Sequence, residues 1–203
     1  MKYTKLSLTE LKEISRRWAV DIFKSYQPDM VVYVAKAGFI IGNEIARTLH
    51  VELIGVETVR EKGNRLKAVI APLVRVLPDW IRNVLIFFEL KSGIHKRNNK
   101  RIIRFIDKKK IIWSKTIRKI LVVDDSVDTG TSILAVINAL KKEYENAEIR
   151  VAGLNVWDKS EELVKVDYCL YRNTIIKSPM SKDSEEYGDF IQEYYQFIAS
   201  REK

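Results

Sequence analysis

The sequence is poor in the residues that cross-link chains or chelate metals. Cys169 is the only cysteine among 203 residues, which excludes an intrachain disulfide. His50 and His95 are the only histidines, and neither has a cysteine or a second histidine at ligand spacing, so no transition-metal site is supported. Long apolar runs are also missing. The most apolar stretch, 68–90, is interrupted by Arg75, Asp79, Arg82 and Glu89 and by Pro72 and Pro78, which argues against a membrane span. The opening Met1-Lys-Tyr-Thr-Lys-Leu-Ser has no apolar core of the kind a secretory signal needs, so a reducing cytoplasm is the expected compartment. With four prolines and 46% hydrophobic residues, the chain suits one globular domain with a full core and a smaller cap.

Acidic residues are nearly absent from one segment. Residues 91–119 hold 12 Lys and Arg against a single acid, Asp107, whereas the rest of the chain has 24 basic and 26 acidic residues. The net charge of +9 is therefore local, and it does not by itself indicate a polyanion-binding protein.

What the sequence does contain is concentrated in Ile120-Leu-Val-Val-Asp-Asp-Ser-Val-Asp-Thr-Gly-Thr-Ser132. This reads as a buried β-branched strand that breaks at two carboxylates and turns through a hydroxyl-rich loop into a helix beginning Ile133-Leu-Ala-Val. Backbone N–H groups of Asp128, Thr129, Gly130, Thr131 and Ser132 would then face outward at the positive end of that helix, where a phosphate binds naturally. Gly130 allows close backbone approach, and the Thr and Ser hydroxyls add donors. Asp124 and Asp125 repel a phosphate, but side by side they can accept hydrogen bonds from vicinal hydroxyls or hold Mg²⁺. A sugar phosphate satisfies both halves.

The stretch resembles the phosphoribosyl diphosphate (PRPP) motif of the type I phosphoribosyltransferases: apolar strand, two acids, two variable residues, then Asp/Ala-Thr-Gly-x-Thr/Ser. The resemblance implies that Asp124 and Asp125 hold the ribose and, through it, the metal, that residues 128–132 grip the 5′-phosphate, and that Mg²⁺ is the cofactor. An acid at position 128 is similar to the 6-oxopurine branch, closest to the xanthine-guanine and hypoxanthine-guanine enzymes, which makes Asp128 the expected general base near N7 of the purine. By the same resemblance the Lys36, Ala37, Gly38 turn lies where the family binds pyrophosphate, in a loop that often includes a cis non-proline peptide. Ala37 departs from the glycine common there.

Around these motifs the chain reads as alternating strands and helices. Ser7-Leu-Thr-Glu10 is a capping box opening an amphipathic helix through about Tyr26, which Pro28 ends. A strand over 30–35, a helix over 41–49 closed by His50 and a strand over 51–59 form a βαβ unit. A helix over 131–145 and a strand over 148–157 follow. The predicted fold is an α/β domain over 1–203, an open, mostly parallel sheet with helices on both faces. Its core spans about 20–157, a helical and basic insertion about 67–117, and a small hood about 158–203 with part of the N-terminus.

Beyond Trp157 the sequence is similar to the hood of bacterial xanthine-guanine enzymes, in Lys159, Leu163-Val-Lys-Val-Asp-Tyr168 and Thr174-Ile-Ile-Lys-Ser-Pro179. The resemblance implies that Lys159 donates to the purine O6, with Asp158 competing for the position, and that Ile176 presents a backbone contact. The stacking position falls on Ile175, an aliphatic where the family has an aromatic. The pattern Tyr187, Phe190, Ile191, Tyr194, Tyr195, Ile198 predicts a helix packed on the hood or on a partner.

The polar stretch 60–65 matches the family's mobile catalytic loop, which excludes water from the reacting centre. In the insertion, Ile81, Val84, Leu85 and Phe88 start an amphipathic helix behind Pro78. The basic run 91–119 is open to three readings: a subunit interface with a solvated face, a surface docking anionic lipid or nucleic acid, or a basic lid over substrate. Arg101-Ile-Ile-Arg104 with Phe105 and Ile106 also allows a plain strand.

The expected activity is transfer of the phosphoribosyl group from PRPP to a nucleobase, a 6-oxopurine, in purine salvage, with pyrophosphate released. A homodimer or higher homo-oligomer is expected from the resemblance. Two alternatives remain: a PRPP- or nucleotide-sensing regulator that has lost transfer chemistry and uses its basic insertion on nucleic acid, and a phosphoribosyltransferase for a non-purine acceptor.

Overall fold

The β-branched runs at 30–34 and 119–127 decide the architecture, because strands apolar on both faces must be covered twice. A computed structural model describes residues 2–60, 101–106 and 117–201. The chain falls into two compact units, 1–58 with 103–203, and 59–102. The second lies almost wholly outside the described residues. So do the polar stretch 61–65, the helix expected at Ile81, and most of the basic run.

Along the described residues the order is β1 (Lys2–Lys5), α1 (Leu8–Ser25), β2 (Met30–Val34), α2 (Phe39–Leu49), β3 (Glu52–Arg60), β4 (Arg101–Ile106), β5 (Lys119–Val127) and α3 (Thr131–Glu143). It continues with β6 (Glu148–Val156), a 3₁₀ turn (Asp158–Glu162), β7 (Tyr168–Arg172), β8 (Thr174–Lys177) and α4 (Tyr187–Arg201). The main sheet runs β4-β3-β2-β5-β6-β7, and β2 with β3, β2 with β5, β5 with β6 and β6 with β7 are parallel. A second, two-stranded parallel sheet pairs β1 with β8. The α/β fold with helices on both faces is as expected.

Alternation along the two central strands builds two cores. Val31, Tyr33, Leu121 and Val123 point to the face covered by α1, α2 and α4, where Leu11, Trp18, Ile22, Phe39 and Phe190 complete the cluster. Met30, Val32, Val34, Ile120 and Val122 point to the other face, against Ile133, Val136 and Leu140 of α3. Each such fully buried aliphatic contributes about 1.5–3 kcal/mol from surface removed from water. At one end of the first core the capping box closes as expected: the Glu10 N–H donates to Ser7 Oγ (3.2 Å) and the Ser7 N–H to Glu10 Oε2 (2.8 Å).

One element differs from expectation. β5 does not break at the two acids but runs through them to Val127, because β6 continues to pair with it at Asp124–Gly153, Ser126–Asn155 and Val127–Val156. Arg101–Ile106 is the edge strand β4, with Ile103 and Phe105 packed on the α3-side core. The C-terminal helix α4 shares a core cluster with the hood residues Ile176 and Met180, and it also packs on the start of α2, where Phe39 meets Tyr194 (centroids 5.3 Å apart) and Phe197 (4.9 Å).

Candidate active site

Parallel strands deliver their carboxyl ends to one edge, and the end of β5, the start of α3 and the segments after β2, β5 and β6 carry the residues singled out from sequence, apart from Ile175 and Ile176 on β8. Close packing brings these loops together in pairs. A Cβ on Gly38 would lie 2.8 Å from the carbonyl oxygens of both Val34 and Val123, so the turn at Lys36, Ala37 and Gly38 sits against the residue preceding Asp124. The turn is closed by Gly38 N–H to Val34 O (2.9 Å) and Phe39 N–H to Lys36 O (3.0 Å), and the Ala35–Lys36 peptide is cis.

Gly130 is the N-cap of α3 with φ +72°, a left-handed conformation that a side chain would strain. A Cβ there would also come within 2.6 Å of Val164 Cγ1, so the loop after β5 packs on the segment after β6. Gly130 O accepts from the Leu134 N–H (2.9 Å), leaving the N–H groups of the first turn directed out of the helix end. Thr129 and Thr131 share a hydroxyl hydrogen bond (3.1 Å), and Ser126 Oγ donates to Asp128 Oδ1 (2.6 Å), which sets the exposed Asp128 carboxylate at the mouth of the loop. Ser132 is half-buried in the first turn of α3.

Asp124 is buried at 7% exposure and accepts from the Asp125 N–H at 3.0 Å. Burial, and then the charge of Asp125, raise the Asp124 carboxyl well above the ordinary carboxylate range. Burial raises Asp125 too, with Asp128 adding a repulsive charge. The charges that act most on this pair are acidic, so it is held ready for a cation or a ring of hydroxyl donors. Among the described residues no group of three or more His, Cys, Asp or Glu could hold a metal ion.

On the base side, Asp158 and Lys159 separate. Asp158 is tied to the hood, its N–H donating to Asn173 Oδ1 (3.1 Å) and its Oδ2 accepting from Asn173 Nδ2 (2.7 Å), while Lys159 stands exposed on the 3₁₀ turn. Ile175 is 44% exposed on β8, opposite Tyr3 of β1, which is 65% exposed. Ile176 packs into the core.

Two long-range contacts escaped the sequence reading. Buried Asn155, a lone amide in an apolar strand, donates to Thr174 O (2.8 Å) and accepts from the Thr174 N–H (3.3 Å), pinning the hood to β6. That isolated polar residue was a visible signal. Lys36 Nζ donates to Tyr195 Oη (2.6 Å), which holds the ammonium above its ordinary range; nothing local in the sequence announces this pair. A cavity of about 560 Å³ at the start of β6, lined by Ser25, Arg150 and Tyr168 among others, includes none of the expected site residues.

The family model for the phosphoribosyl transferase domain matches residues 7–187. Among solved structures, a purine phosphoribosyltransferase from Pyrococcus horikoshii is 19% identical, with a TM-score of 0.57 over 91% of this chain and 97% of that one. A xanthine-guanine-hypoxanthine phosphoribosyltransferase from Helicobacter pylori is 15% identical (TM-score 0.61, covering 92% and 99%). A hypothetical protein from Neisseria gonorrhoeae with bound ppGpp is 13% identical (TM-score 0.56, covering 97% of both). A search of curated proteins found no match. No helix among the described residues is long and apolar enough to cross a membrane.

Proposed function

The chain belongs to the phosphoribosyl transferase family, and from that premise we propose that it transfers the 5-phosphoribosyl group of PRPP to a 6-oxopurine in purine salvage, releasing pyrophosphate. The observation that carries the reading is the Asp124–Asp125 pair, Asp124 buried and Asp125 half-buried and both raised by desolvation, one short loop before a helix N-terminus capped by left-handed Gly130. Ribose hydroxyls donating to the two carboxylates would relieve that desolvation, while the amides and hydroxyls of 128–132 take the 5′-phosphate.

With the sugar held at both ends, its anomeric carbon is fixed beside the 36–38 turn, which receives the pyrophosphate. A base nitrogen attacks C1′ as the bond from C1′ to the pyrophosphate oxygen breaks, and the oxygen leaves with the electron pair. Asp128, oriented by Ser126, takes the proton that the base nitrogen gives up. Lys159, exposed beside an Asp158 that is bonded to Asn173, donates to an exocyclic oxygen of the base. Asp124 and Asp125 are the residues that would hold Mg²⁺, whose chemistry there would be to neutralise charge on the departing pyrophosphate, and one or two carboxylates is a donor set that suits it. The same reading carries a cytoplasmic homodimer or higher homo-oligomer.

Exposed, aliphatic Ile175 favours a second reading, in which the site senses PRPP or a nucleotide without transfer. Titration calorimetry with PRPP and MgCl₂ tests what both readings share. Binding of one PRPP per chain that is lost in Asp124→Asn and Asp125→Asn is expected. Binding that survives both substitutions unchanged would refute the assignment of the acids.

A further inference from the structure

Lys36 leaves the turn after β2 and ends on the C-terminal helix. Its ammonium donates to Tyr195 Oη at 2.6 Å, lies 4.7 Å from the centroid of the Tyr195 ring and 5.6 Å from that of Tyr194. Such a contact usually reports only a long side chain resting on a convenient surface. Here the surface is itself registered to the turn. Tyr194 and Phe197, either side of Tyr195 on α4, pack on Phe39, the first residue of α2 and the next but one after Ala37. Tyr194 also packs edge-on against Tyr195 (5.4 Å). The aromatic cluster therefore fixes the Tyr195 hydroxyl relative to the backbone that carries Lys36.

We propose that Tyr195 is a positioning residue for the anion site of the 36–38 turn: it holds the Lys36 ammonium in one place before substrate arrives. The inference rests on the functional reading above, in which that turn faces pyrophosphate. An ammonium has three N–H donors and one is given to Tyr195, so two remain for phosphate oxygens. The phenol, accepting from lysine, keeps its own O–H to donate. An exposed lysine would otherwise lose its rotamer freedom at the moment of binding, and fixing it beforehand moves that cost out of the binding step.

The test is a double-mutant cycle read by PRPP calorimetry and steady-state kinetics on the full-length chain. Tyr195→Leu should weaken PRPP binding roughly three- to tenfold, the effect of immobilising one rotamer-rich side chain. Tyr195→Phe, which keeps the ring over the ammonium but not the hydroxyl, should lose less. The KM for the base should stay unchanged, and in a Lys36→Ala background the Tyr195 substitutions should have no further effect. A purely structural role would instead lower the melting temperature and persist without Lys36, which overturns the proposal. So does unchanged or tighter PRPP binding in Tyr195→Leu and Tyr195→Phe. If the unsubstituted protein binds no PRPP, the functional reading itself fails and this inference falls with it. If it binds PRPP and the cycle shows no coupling, only the inference fails.

Discussion

Asp124→Asn should stabilise the ligand-free fold while abolishing the function of the site. The amide is nearly isosteric, and its Oδ1 still accepts from the Asp125 N–H, now at 3.0 Å to the carboxylate oxygen. What it removes is a charge buried to 7% exposure beside a second acid. Leaving a buried polar group inadequately solvated typically costs about 1–3 kcal/mol, more when it is charged, so a gain on that order is expected at pH 8. For a chain of this size that corresponds to a melting temperature higher by roughly 2–4 °C per kcal/mol.

The pH dependence supplies a sharper signature. Both carboxyls are raised in the folded state, so the folded protein holds protons that the unfolded chain has released, between the ordinary carboxylate value of about 3.9 and the folded one. Wild-type stability is therefore lost as pH rises through the folded value and recovered as pH falls back through it. Asparagine does not titrate, so its advantage should be largest at pH 8 and should shrink on acidification. Calorimetric melting of both proteins in EDTA from pH 8 downward reads this directly. A variant less stable than wild type at pH 8, or an advantage independent of pH, would refute the electrostatic account of the pair.

Gly130→Ala should destabilise the protein by about 1–2 kcal/mol from its left-handed φ alone, with more from the Val164 contact. Urea titration of Gly130→Ala with and without Val164→Ala separates the two, since only the contact is relieved by the smaller partner. Asn155→Leu should leave the buried Thr174 N–H and C=O without partners, for a loss of about 2–4 kcal/mol in urea denaturation. Wild-type stability in that variant would show that the hood is held by other means.

The parts of this fold that were readable share one property, that their signal is local. Met30–Val34 reads as a strand covered on both faces because every residue in it is apolar, and the Ser7–Glu10 capping box is complete within four residues. The motif from Asp124 to Ser132 was readable because strand, acids, glycine and helix start follow one another directly. Where the reading missed, the deciding partner was distant in the chain. β5 continues through its acids because β6 supplies the ladder, a case of pairing overriding the low strand propensity of aspartate. Tyr195 sits in a pattern that predicts a helix with an aromatic face, but only folding reveals that this face meets Phe39 and Lys36, 159 residues away. Ile175 lies on β8, and its register partner Tyr3 belongs to the first residues of the chain.

Transfer itself is tested most directly by pyrophosphate release from PRPP and Mg²⁺ with hypoxanthine, guanine, xanthine, adenine, uracil and orotate supplied one at a time, for wild type and Asp128→Asn. Turnover with at least one 6-oxopurine is predicted, falling by roughly two orders of magnitude in the variant while PRPP binding is retained. PRPP binding without pyrophosphate release for any of the six bases would contradict the account.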